Sequence, residues 1–287
     1  MEIVGISASH RKWGNTELLI RHVLHGAEQE GAETRFLRLG DASIGQCRGC
    51  LNCLYKDRDC IIEDGFAEVL QAVRRADAVV LGSPVHSLFA AGAIQMLVPR
   101  LFRQVYTGEF EGKLGIAVAV GGMPGWEGWA LPQVSALFLS LGITLVDQFI
   151  GYAQGPGEIF FDEKACRRAR AGGRALARGE TAFLGDQGIC PVCHFNLVFA
   201  REGQPSCMLC DLPGRWVETG DATRFEPLSG ARPRWERSQM REHFDHLILP
   251  SGRRFLERKE GIRNRLETFR KESRTDAIEK QAGTFHE

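Results

Sequence analysis

Residues 2–27 read EIVGISASHRKWGNTELLIRHVLHGA: a short apolar segment, a polar loop, and a helix with apolar residues at helical spacing. A strand that leads through such a loop into a helix N-terminus predicts an anion site, because loop hydroxyls, free backbone N–H groups and the helix dipole act at one point. Helix capping by Ser9, Asn15 and Thr16 accounts for these residues equally well. The loop is neither a GxGxxG dinucleotide fingerprint nor a Walker loop.

The alternation of strands and helices continues through the first two thirds of the chain. Apolar strands are expected at 34–39, 76–81, 114–120 and 143–150, and helices from 64 and at 90–102, 131–141 and 163–179. This order predicts an α/β domain with a doubly wound parallel sheet. Ligands bind such sheets outside the carboxyl ends of the strands, so the loops 9–16, 83–89 and 121–129 are the expected site.

Nine cysteines are present, and eight of them form two groups of four. The first group is Cys47, Cys50, Cys53 and Cys60, spaced x2, x2 and x6, which is the general pattern of iron–sulfur ligands. Zinc, redox-active thiols and inert thiols are the alternatives. The N-terminus shows no secretory signal, so a cytoplasmic location is expected and stable disulfides are disfavoured. Cys166 stands alone in a predicted helix, where a structural role is expected.

The second group consists of two Cys-x2-Cys pairs, Cys190/Cys193 and Cys207/Cys210. Four thiolates in paired knuckles suit a tetrahedral Zn²⁺ and leave no open position for catalysis. The segment therefore predicts a zinc-ribbon-like domain with short strands at 195–199 and 215–218. A rubredoxin-like iron that relays electrons is the competing interpretation, although the glycine that usually follows such a knuckle is missing. His194, which follows Cys193, is interpreted as a spare neighbour.

The composition changes again near residue 229. Residues 231–287 hold 14 Lys and Arg against 10 Asp and Glu, and helices are expected at 234–249 and 252–275. An apolar stripe among charged residues fits either a surface helix or an arm that grips a partner subunit. Interleaved acidic residues make nucleic-acid binding unlikely. The expected division is 1–182 for the α/β domain, 183–228 for the ribbon and 229–287 for the helical arm.

Three motifs of the first part resemble one family. SHRKWGNT at 9–16 is similar to the phosphate loop of the flavodoxin-like NAD(P)H-dependent FMN reductases. CRGCLNC at 47–53, with CIIED at 60–64, resembles the compact cysteine motif of their iron–sulfur flavoprotein branch. ADA at 76–78, with SPVH at 83–86, resembles their Ala-Asp strand and flavin loop. Residues 1 to about 180 are covered by the resemblance.

The resemblance implies FMN, with its phosphate held by Ser9, Arg11, Asn15 and Thr16. The isoalloxazine ring is expected against Pro84, Val85, His86, Ser87, Leu88, Phe89, Gly121, Gly122, Met123, Gly125 and Trp126. His86, which stands where the family usually has Tyr, is the candidate catalytic residue, because an imidazole beside the ring can donate a proton. The resemblance also implies a [4Fe-4S] cluster and a homo-oligomer, a dimer or tetramer. NAD(P)H or a ferredoxin would supply electrons. His10, Gln95 and Pro99 also depart from the family pattern and leave the nucleotide preference open.

The leading hypothesis is an iron–sulfur flavoprotein that moves electrons between a donor, FMN and the cluster. The first alternative is an FMN-dependent reductase or dehydrogenase of a small organic or quinone substrate, with Phe89, Trp126 and Trp129 lining its pocket. The second is a zinc-ribbon interaction module on an inactive flavodoxin-like body. A formal net charge of zero gives no general attraction to nucleic acid, and the apolar runs are too short to span a membrane.

Overall fold

A six-stranded sheet forms the centre of the first compact unit, Met1–Arg241. The structure is a computed structural model and describes residues 1–220 and 222–272. The strands are β1 (Glu2–Ser7), β2 (Glu33–Arg38), β3 (Ala78–His86), β4 (Phe89–Ala90), β5 (Leu114–Gly121) and β6 (Thr144–Tyr152). Five of them run parallel in the order β2-β1-β3-β5-β6, and β4 pairs antiparallel with β3. The predicted doubly wound sheet is confirmed.

Helices cover both faces of this sheet. They are α1 (Asn15–Glu28), α2 (Asn52–Tyr55), α3 (Phe66–Arg75), α4 (Gly92–Leu97), α5 (Phe102–Thr107), α6 (Ala130–Ser140) and α7 (Glu163–Ala177). α1 and α7 pack against each other and against one face, where residues such as Leu19, Val118 and Leu176 form the core. The opposite face carries α3 and α6, with Phe66 and Phe138 in its apolar layer. Continuous apolar strands are expected for a parallel sheet that is covered on both faces.

The expected loop after the third strand is instead a hairpin. β3 continues to His86 and turns back into β4 through Ser87 and Leu88, whose φ angles of 48° and 76° are those of a tight two-residue turn. The backbone N–H of Trp129 donates to the Leu88 carbonyl at 2.6 Å and holds this turn. The helix expected at 90–102 is also divided. Pro99 lies in a 3₁₀ turn, Val98–Leu101, that separates α4 from α5.

The free edge of β6 is covered at three positions. The Leu184 N–H donates to the Val146 carbonyl at 2.8 Å, and Arg168 Nη2 donates to the Gln148 carbonyl at 3.1 Å. The Tyr152 N–H donates to Asp162 Oδ2 at 2.9 Å. Backbone groups of an exposed edge strand would otherwise be available for pairing with another chain.

The cysteine-rich segment after residue 183 contains two antiparallel hairpins. Their strands are β7 (Val198–Arg201) with β8 (Gln204–Cys207), and β9 (Gly214–Thr219) with β10 (Ala222–Pro227). Two of these four strands, β8 and β10, were not expected from the sequence. The segment belongs to the same compact unit as the sheet. The three-part division at 182/183 and 228/229 remains a prediction.

The second compact unit begins at Glu242, within α8 (Arg237–His243). It continues through a π-helical turn, Phe244–Ile248, into α9 (Ser251–Glu272). The predicted apolar stripe of α9 is exposed, at Phe255, Ile262, Leu266 and Phe269. The last three residues of the helix expected at 252–275 lie outside the described residues. No helix among the described residues is long and apolar enough to cross a membrane.

Two glycines allow α1 and α7 to approach to backbone contact. A Cβ atom at Gly173 would lie 1.9 Å from the Val23 carbonyl oxygen, and one at Gly26 would lie 2.1 Å from the Arg170 carbonyl oxygen. Backbone atoms on both sides cannot move aside as a flexible side chain can. The neighbouring Gly172 differs, because a Cβ there would meet only the terminal methyl of Ile116, at 2.8 Å.

We therefore expect Gly173→Ala to lower the free energy of unfolding by about 1–3 kcal/mol, since the added methyl forces two helices apart. Gly172→Ala is the matched control on the same helix. It should lower the free energy of unfolding much less, because its gain in helix propensity offsets the small displacement of the Ile116 methyl group. Urea denaturation of both variants measures the difference. Equal unfolding midpoints for the two variants would contradict the close helix contact.

Candidate functional site

The loop between β1 and α1 forms a cradle at the carboxyl edge of the sheet. Buried Ser9 accepts the Arg11 N–H on its hydroxyl oxygen at 3.2 Å, which folds the loop back on itself. A Cβ at Gly14 would lie 2.9 Å from the Arg11 Cβ, so the loop is closed too tightly for a larger residue. The first N–H groups of α1 have no partner within the helix and can bind an anion.

Two side chains hold this cradle in place. Glu17 is buried and accepts the Trp13 N–H at 3.0 Å and Arg21 Nε at 2.9 Å. Asn15 donates to the Gly155 carbonyl at 2.9 Å and accepts the Gly157 N–H at 2.9 Å, which joins the helix start to the loop after β6. The amide of Asn15 therefore serves the loop architecture, and its phosphate contact remains a prediction. Sequence reasoning did not identify Glu17.

The other predicted flavin contacts lie at the ends of β3 and β5, on the same edge. The hairpin residues from His86 to Phe89 are exposed, as are Gly122, Met123, Gly125 and Trp126. A Cβ at Gly121 would lie 3.7 Å from both Tyr152 and Val85, so the two strand ends are in close contact here. The topology brings these loops beside the cradle. Their contacts with a flavin and the catalytic role of His86 remain predictions.

The first cysteine group lines one groove with a volume of about 370 Å³. Cys50 is exposed and the other three thiols, of Cys47, Cys53 and Cys60, are half-buried. Gly49 and Leu51 have φ angles of 63° and 53°, and these left-handed turns bend the chain around the groove. The opposite wall comes from the segment of α4 to α5, including Met96, Pro99 and Phe102. Four thiols around one open space suit a centre larger than a single ion.

Arg100 connects the two ends of the cysteine loop. Its side chain is fully buried, and Nε donates to Cys60 Sγ at 3.1 Å. Nη1 donates to the Gly45 carbonyl and to Asp64 Oδ2, both at 2.8 Å, while Nη2 donates to Asp64 Oδ1 at 3.0 Å and to the Ile62 carbonyl at 3.4 Å. All five N–H groups of the guanidinium are thus used. The carboxylate of Asp64 and these hydrogen bonds compensate the free-energy cost of removing the Arg100 charge from water.

Asp64 completes this arrangement from the other side. It accepts the Gly45 N–H at 2.7 Å and the Phe66 N–H at 3.0 Å. Hydrogen bonding from Arg100 holds the pKa of the Asp64 carboxyl below its usual range. The ion pair therefore ties the residues before Cys47 to those after Cys60.

Further arginines fix the distal part of the loop. Arg74, on α3, forms a bidentate pair with Asp59, with both N–O distances 2.6 Å. Arg103, on α5, donates to Asp57 at 3.0 Å and to Glu109 at 2.9 Å. Arginines of α3 and α5 thus bind the part of the cysteine loop between Cys53 and Cys60. These ion pairs hold the loop, and with it the spacing of its thiols, in place.

The thiols of the groove differ in their proton affinity. The N–H of Asn52 lowers the pKa of Cys50, and burial raises the pKa of Cys53. Thiolates are the metal-binding form of cysteine, and Cys50 is the more readily ionised thiol of the two.

A smaller cavity of about 180 Å³ lies between the groove and the anion cradle. His10, from the cradle loop, lines this cavity together with Gly40 and Met96. Met96 also lines the cysteine groove. The cysteine groove and the cradle loop therefore border the same cavity, through Met96 and His10.

The second cysteine group is fully assembled. Cys190, Cys193, Cys207 and Cys210 are all 0% exposed, and their sulfur atoms lie within 4.8 Å of one another. The Cys193–Cys207 and Cys190–Cys210 sulfur distances are 3.5 and 4.0 Å. Metal–sulfur bonds of about 2.3 Å in a tetrahedron place sulfurs about 3.8 Å apart, so the four thiols fit one metal ion. His194 and Asp211, which follow the two knuckles, take the left-handed conformation expected of the missing glycines, at φ 59° and 56°.

Residues 1–155 match the family model described as NADPH-dependent FMN reductase. An iron–sulfur flavoprotein of Methanocaldococcus jannaschii is 33% identical over 187 residues, which cover 62% of this chain and 96% of that protein. One of Archaeoglobus fulgidus is 27% identical over 183 residues, which cover 64% of this chain and 82% of that protein.

Two other proteins are similar over most of the chain. A flavone synthase of Aspergillus candidus is 25% identical over 273 residues, covering 79% of this chain and 81% of that protein. A solved structure titled flavone reductase superposes with a TM-score of 0.76 at 21% identity, covering 94% of this chain and 97% of that one. The structural likeness shows that the fold of the C-terminal part also occurs elsewhere.

The Arg100–Asp64 pair leads to a first prediction for this site. The Asp64 side chain is only 11% exposed, and Arg100→Met would leave its carboxylate without a partner. We therefore expect the free energy of unfolding to fall by about 3–5 kcal/mol. The double variant Asp64→Leu/Arg100→Met should lose less, because no unpaired charge remains. Arg35→Met, which removes an exposed ion pair with Glu68, is the control and should change little. A single Arg100→Met variant with wild-type stability in urea would refute the argument.

The same pair predicts a pH dependence. The pKa of Asp64 is lower in the folded state than in the unfolded state, so the ionised carboxylate stabilises the fold. This contribution is complete above the unfolded carboxyl pKa of about 3.9, and it is lost as the pH falls through the lower pKa of the folded state. The stability difference between the wild type and Asp64→Asn should therefore narrow as the pH is lowered below about 4. Urea midpoints measured across pH 2–7 test this, and a constant difference would contradict it.

Proposed function

The chain belongs to the NADPH-dependent FMN reductase family, in its iron–sulfur flavoprotein branch, and is an FMN-dependent oxidoreductase; we propose that it moves electrons between a donor, FMN and a [4Fe-4S] cluster. The observation that carries the proposal is the groove in which four thiols surround one space, next to the anion cradle. When bound, FMN exchanges electrons in pairs or singly, and the cluster exchanges one electron at a time.

The cradle fits a flavin phosphate. Ser9 and Thr16 supply hydroxyl groups, and the first turn of α1 supplies N–H groups and the positive end of the helix dipole. Arg11 is exposed at the rim, where its charge can pair with the phosphate. The hairpin 86–89 and the loop 121–126 would then flank the ring, and His86 would hold or donate a proton near it.

The cysteine groove fits a cluster. Cys47, Cys50, Cys53 and Cys60 would be the ligands, and Arg100 would donate a hydrogen bond to the Cys60 sulfur. Such a bond and a buried positive charge stabilise the more reduced, more negative form of a cluster. The cavity that Met96 and His10 both line supports electron exchange between the two cofactor regions within one chain.

The buried Cys₄ centre fits a structural Zn²⁺. Four protein ligands occupy every tetrahedral position, so no site is left for a substrate or water. A single iron would fit the same sulfur distances and is the alternative, which metal analysis can distinguish.

A second candidate function is reduction or dehydrogenation of an organic substrate. It is favoured by the flavone synthase relative, because that similarity extends through the C-terminal segment, whereas the iron–sulfur relatives above cover 62–64% of the chain. Exposed Phe89, Met123 and Trp126 at the flavin edge would contact such a substrate. Anaerobic mixing of reduced protein with a flavone, followed by product analysis, separates this function from pure electron transfer.

NADPH and NADH are the proposed donors, with ferredoxin as an alternative, and the assembly is proposed to be a homo-oligomer. The exposed apolar side chains around the flavin edge, which include Trp13 and Trp126, support a subunit contact there. Bleaching of the flavin absorption by each donor under anaerobic conditions identifies the donor. Sedimentation of the loaded protein gives the assembly size.

Paired cysteine variants test the cofactor assignment. Anaerobically purified wild-type protein should contain one FMN, about four irons with matching sulfide, and about one zinc per chain. Cys60→Ser should lose iron and sulfide and keep zinc, while Cys207→Ser should lose zinc and keep iron, so that each variant controls for the other. Wild-type protein with flavin and zinc but no iron or sulfide would refute the cluster.

A further inference from the structure

Trp13, in the loop between β1 and α1, is an exposed aromatic residue at the rim of the anion cradle. It is 63% exposed, so its ring contributes little to the core. Its φ angle of 55° lies in the left-handed region, which bulky residues seldom adopt. Such a backbone conformation persists only where the surrounding structure fixes it, and it is commonest near sites that bind a ligand.

The indole ring is the outer layer of a stack of three flat groups. The guanidinium carbon of Arg21 lies 4.6 Å from the centre of the Trp13 ring and 4.4 Å from the centre of the Phe36 ring. A guanidinium in this position attracts the π-electrons of both rings. Arg21 therefore covers one face of the indole, and the high exposure of Trp13 leaves the other face open to solvent. We call this stack of Trp13, Arg21 and Phe36 the Trp13 platform.

A buried carboxylate holds the platform in place. Glu17, which is 1% exposed, accepts the Trp13 N–H at 3.0 Å and Arg21 Nε at 2.9 Å. The same carboxylate therefore fixes both the backbone that carries the indole and the cation that lies against it. Because the ring does not have to be ordered when a ligand arrives, stacking on it costs less conformational entropy.

The surroundings of the platform carry an excess of positive charge. The two arginines that contact Phe36 are already paired with carboxylates, those of Glu17 and Asp41. Arg11 and Lys12 precede the indole in the loop and are exposed, and neither forms an ion pair with any residue that the structure describes. Four cations thus accompany two carboxylates, which leaves two positive charges in excess. Arg11 is assigned to the flavin phosphate above, so Lys12 remains for a second anionic group.

An open aromatic face beside an unpaired ammonium group suits a planar base that carries a phosphate. Nucleic-acid bases stack on aromatic side chains through their π-faces, and the lysine ammonium is a common partner of phosphate. The flavin ring is expected at the ends of β3 and β5 and its phosphate in the cradle, so the outer face of Trp13 is left for a second ligand.

We propose that the Trp13 platform stacks the base of an adenine nucleotide, the adenosine half of the proposed NADPH or NADH donor, and that Lys12 pairs with a phosphate of that half. The inference rests on the proposed function and adds the place where the donor is held. An aromatic side chain of a second copy is the competing occupant of the ring, since Trp13 also belongs to the exposed residues that support a subunit contact.

Calorimetric titration of the FMN-loaded protein with adenosine 2′,5′-bisphosphate tests the platform without any electron transfer. Trp13→Ala should weaken binding about tenfold, because the base loses its stacking partner, and Trp13→Phe should restore most of the affinity. Lys12→Gln should weaken binding at low salt and have less effect at high salt, because the exposed charge is screened. Trp216→Ala, which removes an exposed indole of the cysteine-rich segment, is the control and should not change the affinity.

The outcome is separate from that of the donor assignment. Failure of both NADPH and NADH to bleach the flavin would refute the donor, whereas the titration decides the platform in either case. No binding of the probe by the wild type, or equal affinity of the wild type and Trp13→Ala, overturns the proposal. A change of assembly size in Trp13→Ala with unchanged nucleotide affinity also overturns it and assigns the ring to a subunit contact.

A second measurement covers the case in which Trp13→Ala loses FMN, since Trp13 belongs to the cradle loop. Wild-type protein labelled with 5-fluorotryptophan gives a fluorine resonance for Trp13, which is identified by its absence from the spectrum of Trp13→Phe. This resonance should shift when adenosine 2′,5′-bisphosphate is added, because a stacked base changes the local ring current. An unchanged resonance at saturating probe overturns the proposal.

Discussion

The buried guanidinium of Arg100 organises the cysteine loop. A positive charge without solvent must be compensated by its surroundings, and here Asp64, two carbonyl groups and the Cys60 sulfur supply every acceptor. The acceptors lie on both sides of the loop, so burying this one charge determines where the loop begins and where it ends. The sheet positions Arg100 through the 3₁₀ turn that Pro99 introduces after α4. The spacing of the four thiols thus depends on the packing of one side chain that lies 40 residues after Cys60 in the sequence.

The sequence predicted the sheet because a parallel sheet requires apolar runs at regular intervals. It also predicted that the cysteines of each group lie together, since the spacing of each Cys-x2-Cys pair is a local feature. It did not identify Arg100, Glu17 or Gln148, because nothing in a local pattern distinguishes a buried charged residue from an exposed one. The hairpin at Ser87 and Leu88 was also missed. Its turn residues are not the usual Asn-Gly type, and the conformation depends on the Trp129 N–H from a distant loop.

The Cys₄ centre has a second role besides holding its own hairpins. The carbonyl of Cys193 accepts a hydrogen bond from Gln148 on β6, so this cysteine pair is directly attached to the sheet. Residues 186–188 and 194–197 line one wall of a pocket of about 590 Å³ beside β6. The cysteine-rich segment therefore helps to shape a pocket beside the sheet as well as its own hairpins.

The covering of β6 also affects how the protein behaves at high concentration. The two edges of the sheet are protected differently. β6 is covered by Leu184, Arg168 and Asp162, whereas among the described residues no group of another strand or helix bonds to the outer backbone edge of β2, which carries the charged side chains of Glu33 and Arg35. Charged side chains on an edge strand oppose its pairing with a strand of another molecule, but only while they remain charged and solvated. Intermolecular strand addition, and with it fibrous aggregation during storage or refolding, is therefore directed to the β2 edge, and screening by salt increases that tendency.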